Sequence, residues 1–511
     1  MSRSSSKKVL VVGAGPGGLA SAMLLAGAGF SVTLVEKKDR PGGRMGRIEE
    51  EGYAFDTGPT ILQLPQILDQ IFSRAGLKRE DYIELRSLSP NTRVHFWDGS
   101  FLDTFSDREK NRREWARFVE GGEKKFDAFL DDHRKKYRVA YDTFIAADAS
   151  RARDYFHPLR LLPAVPYRPW ESLHRSLSRV VEDERIVYAL SYPSKYLGLH
   201  PTNCSSVFSV IPYLEFEFGV HHPVGGFRAL ADAMLRAFTD LGGTFVPNAE
   251  VVGVEQGEDG IRGVRLRSGE TLFGDEMILN ADWAYANRQI FGADVAPVDV
   301  ESRKYSCSCF MMYLGIDQSF AHLPHHMIYL SDAVKRTDRA ALEDRTLNEE
   351  DPPFYVCNPG ATETTSAPPG HSALYVLVPI PNTSQPVDWA NRTEPFFKRM
   401  LPHLSKVGLP NDLEKHIRFK RVFTAETWRD DFSVHRGAVF NLSHNWTQLG
   451  PMRPKSLDPR FDNLHWVGGG THPGSGLLTI FESANIAAAS ISKKYGRPID
   501  PSIAPLPELT R

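Results

Sequence analysis

Long apolar runs punctuated by glycine frame this chain. Residues 9–12 read Val-Leu-Val-Val, residues 19–28 are small or apolar, and residues 30–35 read Phe-Ser-Val-Thr-Leu-Val, uncharged and mostly apolar, before Glu36 closes the run. A short aliphatic run with no polar alternation reads as a strand buried on both faces, and a longer small-residue run as a closely packed helix. The segment predicts strand, tight turn, helix and second strand. Residues 9–35 carry no charge and follow Lys7 and Lys8, so hydropathy alone would allow a signal peptide or a membrane span. Gly13, Gly15, Pro16, Gly17 and Gly18 would break such a helix near its start. No other stretch looks like a spanning helix, so any membrane association is expected to be peripheral.

Two further blocks repeat the alternation of strand and helix. Leu230, Met234, Ala237, Phe238 and Leu241 recur on one helical face, and glycine-containing turns at 258–260 and 267–269 separate strand-like runs. Near the C-terminus, a strand over 464–467 enters a knot of glycines, and a helix is predicted from about 478 to 494. Between the blocks, "SCSCFMMYLGI" (306–316) and "ALYVLVPIP" (373–381) read as strands. The alternation in "YLEFEFG" (213–219) predicts a strand with Glu215 and Glu217 on one face. That face is either solvated or presents a buried acid to a substrate passage.

A length of 511 residues implies more than one domain. An apolar fraction of 41% and a charged fraction of 24% are those of a soluble globular protein. The net charge of −2 gives no electrostatic reason to expect nucleic acid. The four cysteines, Cys204, Cys307, Cys309 and Cys357, form no C-x-x-C, and Cys307 and Cys309 fall within a strand-like run. They read as core residues rather than metal ligands, which points to a reducing, cytoplasmic compartment without disulfides.

The first block carries chemistry as well as structure. Gly13, Gly15 and Gly18 form G-x-G-x-x-G between a strand and a helix. Gly13 permits the turn, Gly15 lets the backbone approach a pyrophosphate, and Gly18 lets helix and strand pack closely. The helix N-terminus offers N–H groups and a positive dipole end to the phosphates. Glu36, at the end of the second strand, can accept hydrogen bonds from a ribose diol. Gly42, Gly43 and Arg44 then place a second close backbone approach beside a phosphate-pairing guanidinium.

The stretch "DRPGGRMGRIEEEGYAFDTGPT", which ends on Gly58, Pro59 and Thr60, resembles the flavin-binding signature shared by amine oxidases, phytoene desaturases and prenyl-protein escort proteins. That resemblance implies FAD. The chain as a whole is similar to carotenoid desaturases of the bacterial and fungal phytoene desaturase family. The motifs are "VVGAGPGGLASAMLLAGAGFSVTLVEKKDRPGGR", "GYAFDTGPTI", "YLGLHPTNCSSVFSVIPYLEFEFGVHHPVGGFRALADAM" and "VGGGTHPGSGLLTIFESANIAA". The resemblance implies a Rossmann-type FAD-binding domain of three β/β/α layers with an inserted α+β substrate domain and a membrane-contacting helical region. Residues 1–110, 220–290 and 446–511 would form the first domain, and 111–219 and 291–445 the second. It further implies that the Val251 backbone covers the adenine. Gly469 would join the cofactor site, and backbone groups near Gly476, Leu477 and Leu478 would face the pyrimidine ring of the flavin. Leu478 and "TIFESAN" depart from the family's usual proline and "GVIGSAK" ending.

The activity implied is removal of hydrogen from a long C30 or C40 polyisoprene, of phytoene or diapophytoene type, by hydride transfer to flavin. Alternatives are an isoprenoid oxygenase, a hydroxysqualene-type dehydroxylase, or a non-catalytic prenyl-lipid carrier. The absence of a second G-x-G-x-x-G in a strand–helix–strand frame points to oxygen or a quinone as electron acceptor. His472, in the terminal glycine turn, is either a proton acceptor or a group that fixes the turn. Residues 151–170 interleave Arg151, Arg153, Arg160 and Arg168 with aromatic and aliphatic residues, a composition suited to a membrane surface or to an internal contact.

Overall fold

The computed structural model describes residues 7–141, 145, 162–258, 260–292, 295, 298–332 and 346–499. The first block folds as its pattern predicts. Strand Lys8–Val12 enters helix Pro16–Gly27 through the glycine turn, and strand Ser31–Val35 returns parallel to the first. These strands lie within a five-stranded parallel sheet ordered Thr244–Val246, Ser31–Val35, Lys8–Val12, Glu276–Leu279, Leu464–Trp466. The sheet therefore draws on three separated stretches of chain.

Period-two alternation assigns its two faces. Val9, Val11, Leu34 and Ile278 pack under helices Pro16–Gly27, Gly226–Asp240 and Leu477–Lys494. Leu10, Val12, Met277 and Leu279 pack against a three-stranded antiparallel sheet, Val251–Gly257, Gly260–Leu266 and Thr271–Phe273. This is the expected β/β/α layering.

A seven-stranded sheet forms the second body. Its order is Ile417–Phe423, Ser308–Ile316, Ser372–Ile380, Phe354–Cys357, His326–Leu330, Thr92–Phe96, Phe101–Thr104. Strand Ser308–Ile316 is buried at every residue because both faces are covered. Phe310, Met312 and Leu314 meet helix Trp389–Met400, while Cys309, Met311 and Tyr313 belong to the core that includes helices Gly122–Ala140 and Val210–Phe218.

Two sequence expectations change. The hairpin of Thr92–Phe96 and Phe101–Thr104 pairs with His326–Leu330, so the end of the 1–110 stretch joins the other sheet. The run at 213–219 is helical: Val210–Phe218 forms a helix that ends at Gly219. A short apolar run does not separate strand from helix by pattern alone, and here Val210, Tyr213 and Leu214, spaced i, i+3 and i+4, are buried in one core. Glu215 and Glu217 therefore diverge, Glu215 accepting from Thr104 and Glu217 meeting Arg134. Of the 151–170 stretch, residues 151–161 lie outside the described residues, and Leu162–Tyr167 form a short 3-10 helix. Among the described residues no helix is long and apolar enough to cross a membrane, and all four cysteines are buried and free.

Candidate active site

The ends of the parallel strands open into a cavity of about 340 Å³. Gly13, at φ +94, makes the turn in a region where a side chain would be strained. A Cβ at Gly18 would fall on the Gly13 carbonyl oxygen, so Gly18 is where helix and turn touch. Gly15 and Pro16, at the N-terminus of the first helix, line the cavity. Glu36 lines it too, with its carboxylate fixed by the N–H groups of Ala14 (2.8 Å) and Lys38 (3.0 Å).

The second glycine pair closes over the first turn. The Gly42 N–H donates to the Ala14 carbonyl at 2.8 Å, and Gly43 lines the cavity against Gly15. Arg44 lines it as well. Its guanidinium donates to the Val439 carbonyl and to Asn441 Oδ1 (3.2 Å), and burial lowers its pKa despite the nearby Asp282. Gly58, Pro59, Val251, Gly469, Gly476 and Leu477 complete the wall.

A second cavity of about 680 Å³ adjoins the first and is lined mostly by apolar side chains. Gly58, Pro59, Tyr375, Leu377 and residues 475–477 line both. Thr60 and Leu478 face only the second. Helix Leu477–Lys494 thus begins at the common wall, with Gly476 as its N-cap.

His472 and Glu215 line neither cavity. His472 is buried, with its backbone N–H donated to the Pro454 carbonyl at 2.8 Å. Glu215 is buried beside Thr104, and burial raises its pKa. The histidine in the second cavity's wall is His444. Its Nε2 accepts from the Ser475 N–H at 3.2 Å, and burial keeps its pKa well below the usual value.

Several residues of the site carry no signal in a linear reading. Asn280, one residue past strand Glu276–Leu279, donates to the Gly13 carbonyl at 3.1 Å and lines the first cavity. Its place at the end of a parallel strand is the one clue available. Asn441 bridges Asp282 and Arg44. Arg453 is 1% exposed and donates to the carbonyls of Thr471 (3.0 Å), Gly469 (2.7 Å) and Leu442 (3.2 Å), so it fixes the terminal glycine turn. Burial lowers its pKa to about 9.

A cavity floored by close-packed glycine backbone, flanked by two helix N-termini and bounded by a held carboxylate, fits a dinucleotide. A guanidinium at its wall and an apolar chamber beyond fit a flavin dinucleotide acting on an apolar substrate. Residues 16–492 match the flavin containing amine oxidoreductase family. Its curated relatives include an all-trans-zeta-carotene desaturase of Myxococcus xanthus, 52% identical and covering 96% of this chain and 94% of that protein. A 4,4'-diapophytoene desaturase (4,4'-diapolycopene-forming) of Methylomonas is 37% identical and covers 96% of each. An oxidoreductase structure from Methanosarcina mazei shares the fold, with a TM-score of 0.62 at 16% identity over 94% of this chain and 99% of that one. The chain belongs to the flavin containing amine oxidoreductase family, among its carotenoid desaturases, and is an FAD-dependent oxidoreductase.

Proposed function

We propose that this protein introduces double bonds into a long carotenoid precursor held in the apolar cavity. The observation that carries the reading is the common wall: the apolar chamber meets the glycine-lined cavity at residues 475–477. The 52% identity to an all-trans-zeta-carotene desaturase favours a partly desaturated C40 chain over a C30 one. Bound FAD supplies a two-electron acceptor. The glycine turn and the N-terminus of helix Pro16–Gly27 would hold the pyrophosphate, Glu36 the ribose and Val251 the adenine side. The positive end of helix Leu477–Lys494 favours negative charge at the common wall. The parallel sheet and its flanking layers serve the cofactor, and the seven-stranded sheet with its helices serves the substrate. Oxygen or a quinone reoxidises the enzyme.

Substrate reaches the chamber from a membrane surface on which the protein sits peripherally. Val165, Trp170, Trp446 and Met452 line the chamber and are 47%, 64%, 47% and 41% exposed. Leu162, 60% exposed, belongs to the same short helix as Val165. Large apolar side chains gathered at a cavity mouth mark a surface that is covered in use. The test is incubation of FAD-loaded protein with zeta-carotene, phytoene and diapophytoene in liposomes. New visible absorption from a longer polyene, strongest with zeta-carotene, is expected. No spectral change with any of the three would defeat the reading.

A further inference from the structure

Behind the apolar chamber lies a file of buried polar side chains that do not line the first cavity. It starts at Thr60 and Tyr355, both of which line the chamber. The Tyr355 hydroxyl stands 2.7 Å from Thr60 Oγ1 and 2.7 Å from His326 Nδ1. The His326 and His325 rings are 4.5 Å apart between centroids. One ring nitrogen from each and Cys357 Sγ lie within 4.8 Å of one another. His325 Nδ1 is 2.7 Å from Thr362 Oγ1, and both His325 and Thr362 line a polar groove with Arg86 and Arg93. The file thus runs from an apolar chamber to a polar groove.

Burying these imidazoles is costly for the fold. Nε2 of His325 and Nε2 of His326 are buried without a hydrogen-bond partner. Unsatisfied buried nitrogens call for a reason. Burial, and then the neighbouring imidazoles, lower the pKa of His326 to about 3 and that of His325 well below its usual value. Both rings rest neutral, with one nitrogen able to accept and one able to give. His444, the histidine in the chamber wall, already uses its Nε2 to accept from Ser475.

Resting on the reading that the chain dehydrogenates a carbon–carbon bond, we propose that Tyr355, His326 and His325 carry the released proton from the apolar chamber to the groove. Of the two hydrogens removed from adjacent carbons, one leaves with its electron pair to FAD, the oxidant. The other leaves as a proton while its C–H electrons become the second bond of the alkene. That proton adds to the Tyr355 oxygen as the phenol's own proton passes to His326 Nδ1. His326 passes its Nε2 proton to His325, whose ring centroid lies 4.5 Å away and whose Nε2 is also without a hydrogen-bond partner. His325 releases its Nδ1 proton past Thr362 to water in the groove. Tautomer exchange then resets the rings. A weakly basic imidazole suffices, because carbon beside a centre that has lost hydride is a far stronger acid. Tyr355 is the catalytic residue of this step, and His326 and His325 act through it.

The experiment compares FAD-loaded wild type with Tyr355→Phe, His326→Asn and His325→Ala. Single-turnover flavin bleaching with zeta-carotene should slow by about 100-fold in Tyr355→Phe and His326→Asn, the range of a lost proton-transfer group. The wild-type solvent deuterium effect should vanish in both variants. Added imidazole, entering by the groove, should restore His325→Ala, which a purely structural histidine would not allow. Nitrogen-15 spectra of the resting protein should show His326 bearing its proton on Nε2, with the Nδ1 signal shifted in Tyr355→Phe. Wild-type bleaching with unchanged rates in Tyr355→Phe and His326→Asn would overturn the relay and leave the desaturase reading intact. If no polyisoprene bleaches wild type, both fall together. One equivalent of tightly held zinc, lost in Cys357→Ser, would also overturn it. If a substituted protein fails to hold FAD, His325→Ala with imidazole decides the matter alone, and absence of rescue counts against the relay.

Discussion

The first cavity draws more of its wall from glycine backbone than the second, which is faced mostly by apolar side chains. Gly13, Gly15, Gly43, Gly58, Gly468 and Gly476 bring main chain to the surface of the first. The second is faced by Ile211, Leu214, Leu377, Pro379 and Phe440, which come from separate elements. A backbone wall has one shape and tolerates no added carbon. A wall of packed side chains accepts exchange of similar volumes and is altered by large changes of size. The same chain therefore holds a demanding site and an adaptable one, in contact at residues 475–477.

Gly15→Val should have the largest effect. Its Cβ would lie 2.8 Å from Asn280 Nδ2, at the point where the turn faces the ligand. FAD affinity should drop by about 1000-fold, roughly 4 kcal/mol, and purified protein should be colourless while circular dichroism stays near wild type. Full flavin occupancy would break the contrast between the cavities.

Filling the other cavity should separate activity from flavin content. Val207 lines only the apolar chamber. Val207→Trp should slow polyene turnover by roughly 10- to 100-fold, as expected when the reacting bond is held out of place, with FAD content unchanged. Lost flavin would mean that the two sites are not independent.

Arg453→Met tests the element that both cavities share. Removing the guanidinium leaves carbonyls of Thr471, Gly469 and Leu442 without their donor. A loss of about 1–3 kcal/mol in folding stability is expected, with FAD about tenfold weaker because the glycine turn loosens. Denaturant melts and flavin titration measure the two. Unchanged values in both would show that the turn holds itself.

The smallest effect is expected at the chamber mouth. Trp170 and Trp446 are among its exposed side chains. Changing both to Ser should weaken liposome co-sedimentation by about tenfold, roughly 1.4 kcal/mol, less than full burial of the two side chains would give because each inserts only in part. FAD content should not change. Equal sedimentation would place the membrane contact elsewhere.

The backbone-walled cavity was the more legible of the two in the sequence, for a local reason. Gly13, Gly15, Gly18 and Glu36 occupy one strand–turn–helix–strand unit, whose geometry is set by neighbours in the chain. The terminal unit was legible in the same way, its helix running Leu477–Lys494. Periodicity failed at Val210–Phe218, where a short apolar run suits strand and helix alike and the core chose helix.

Glycine, apolar period and strand-end acid determined by themselves that this chain builds a dinucleotide-type parallel sheet, because each acts through backbone conformation within a few residues. Tertiary structure alone decided that hairpin Thr92–Phe96 and Phe101–Thr104 joins the seven-stranded sheet. It alone brought Asn280 to the first turn, set Arg453 under the last one, and aligned Thr60, Tyr355, His326 and His325. The apolar chamber belongs to the same class, since its wall spans Gly58 to Thr479. A cavity is the volume left when distant side chains pack, and no single stretch of chain contains it.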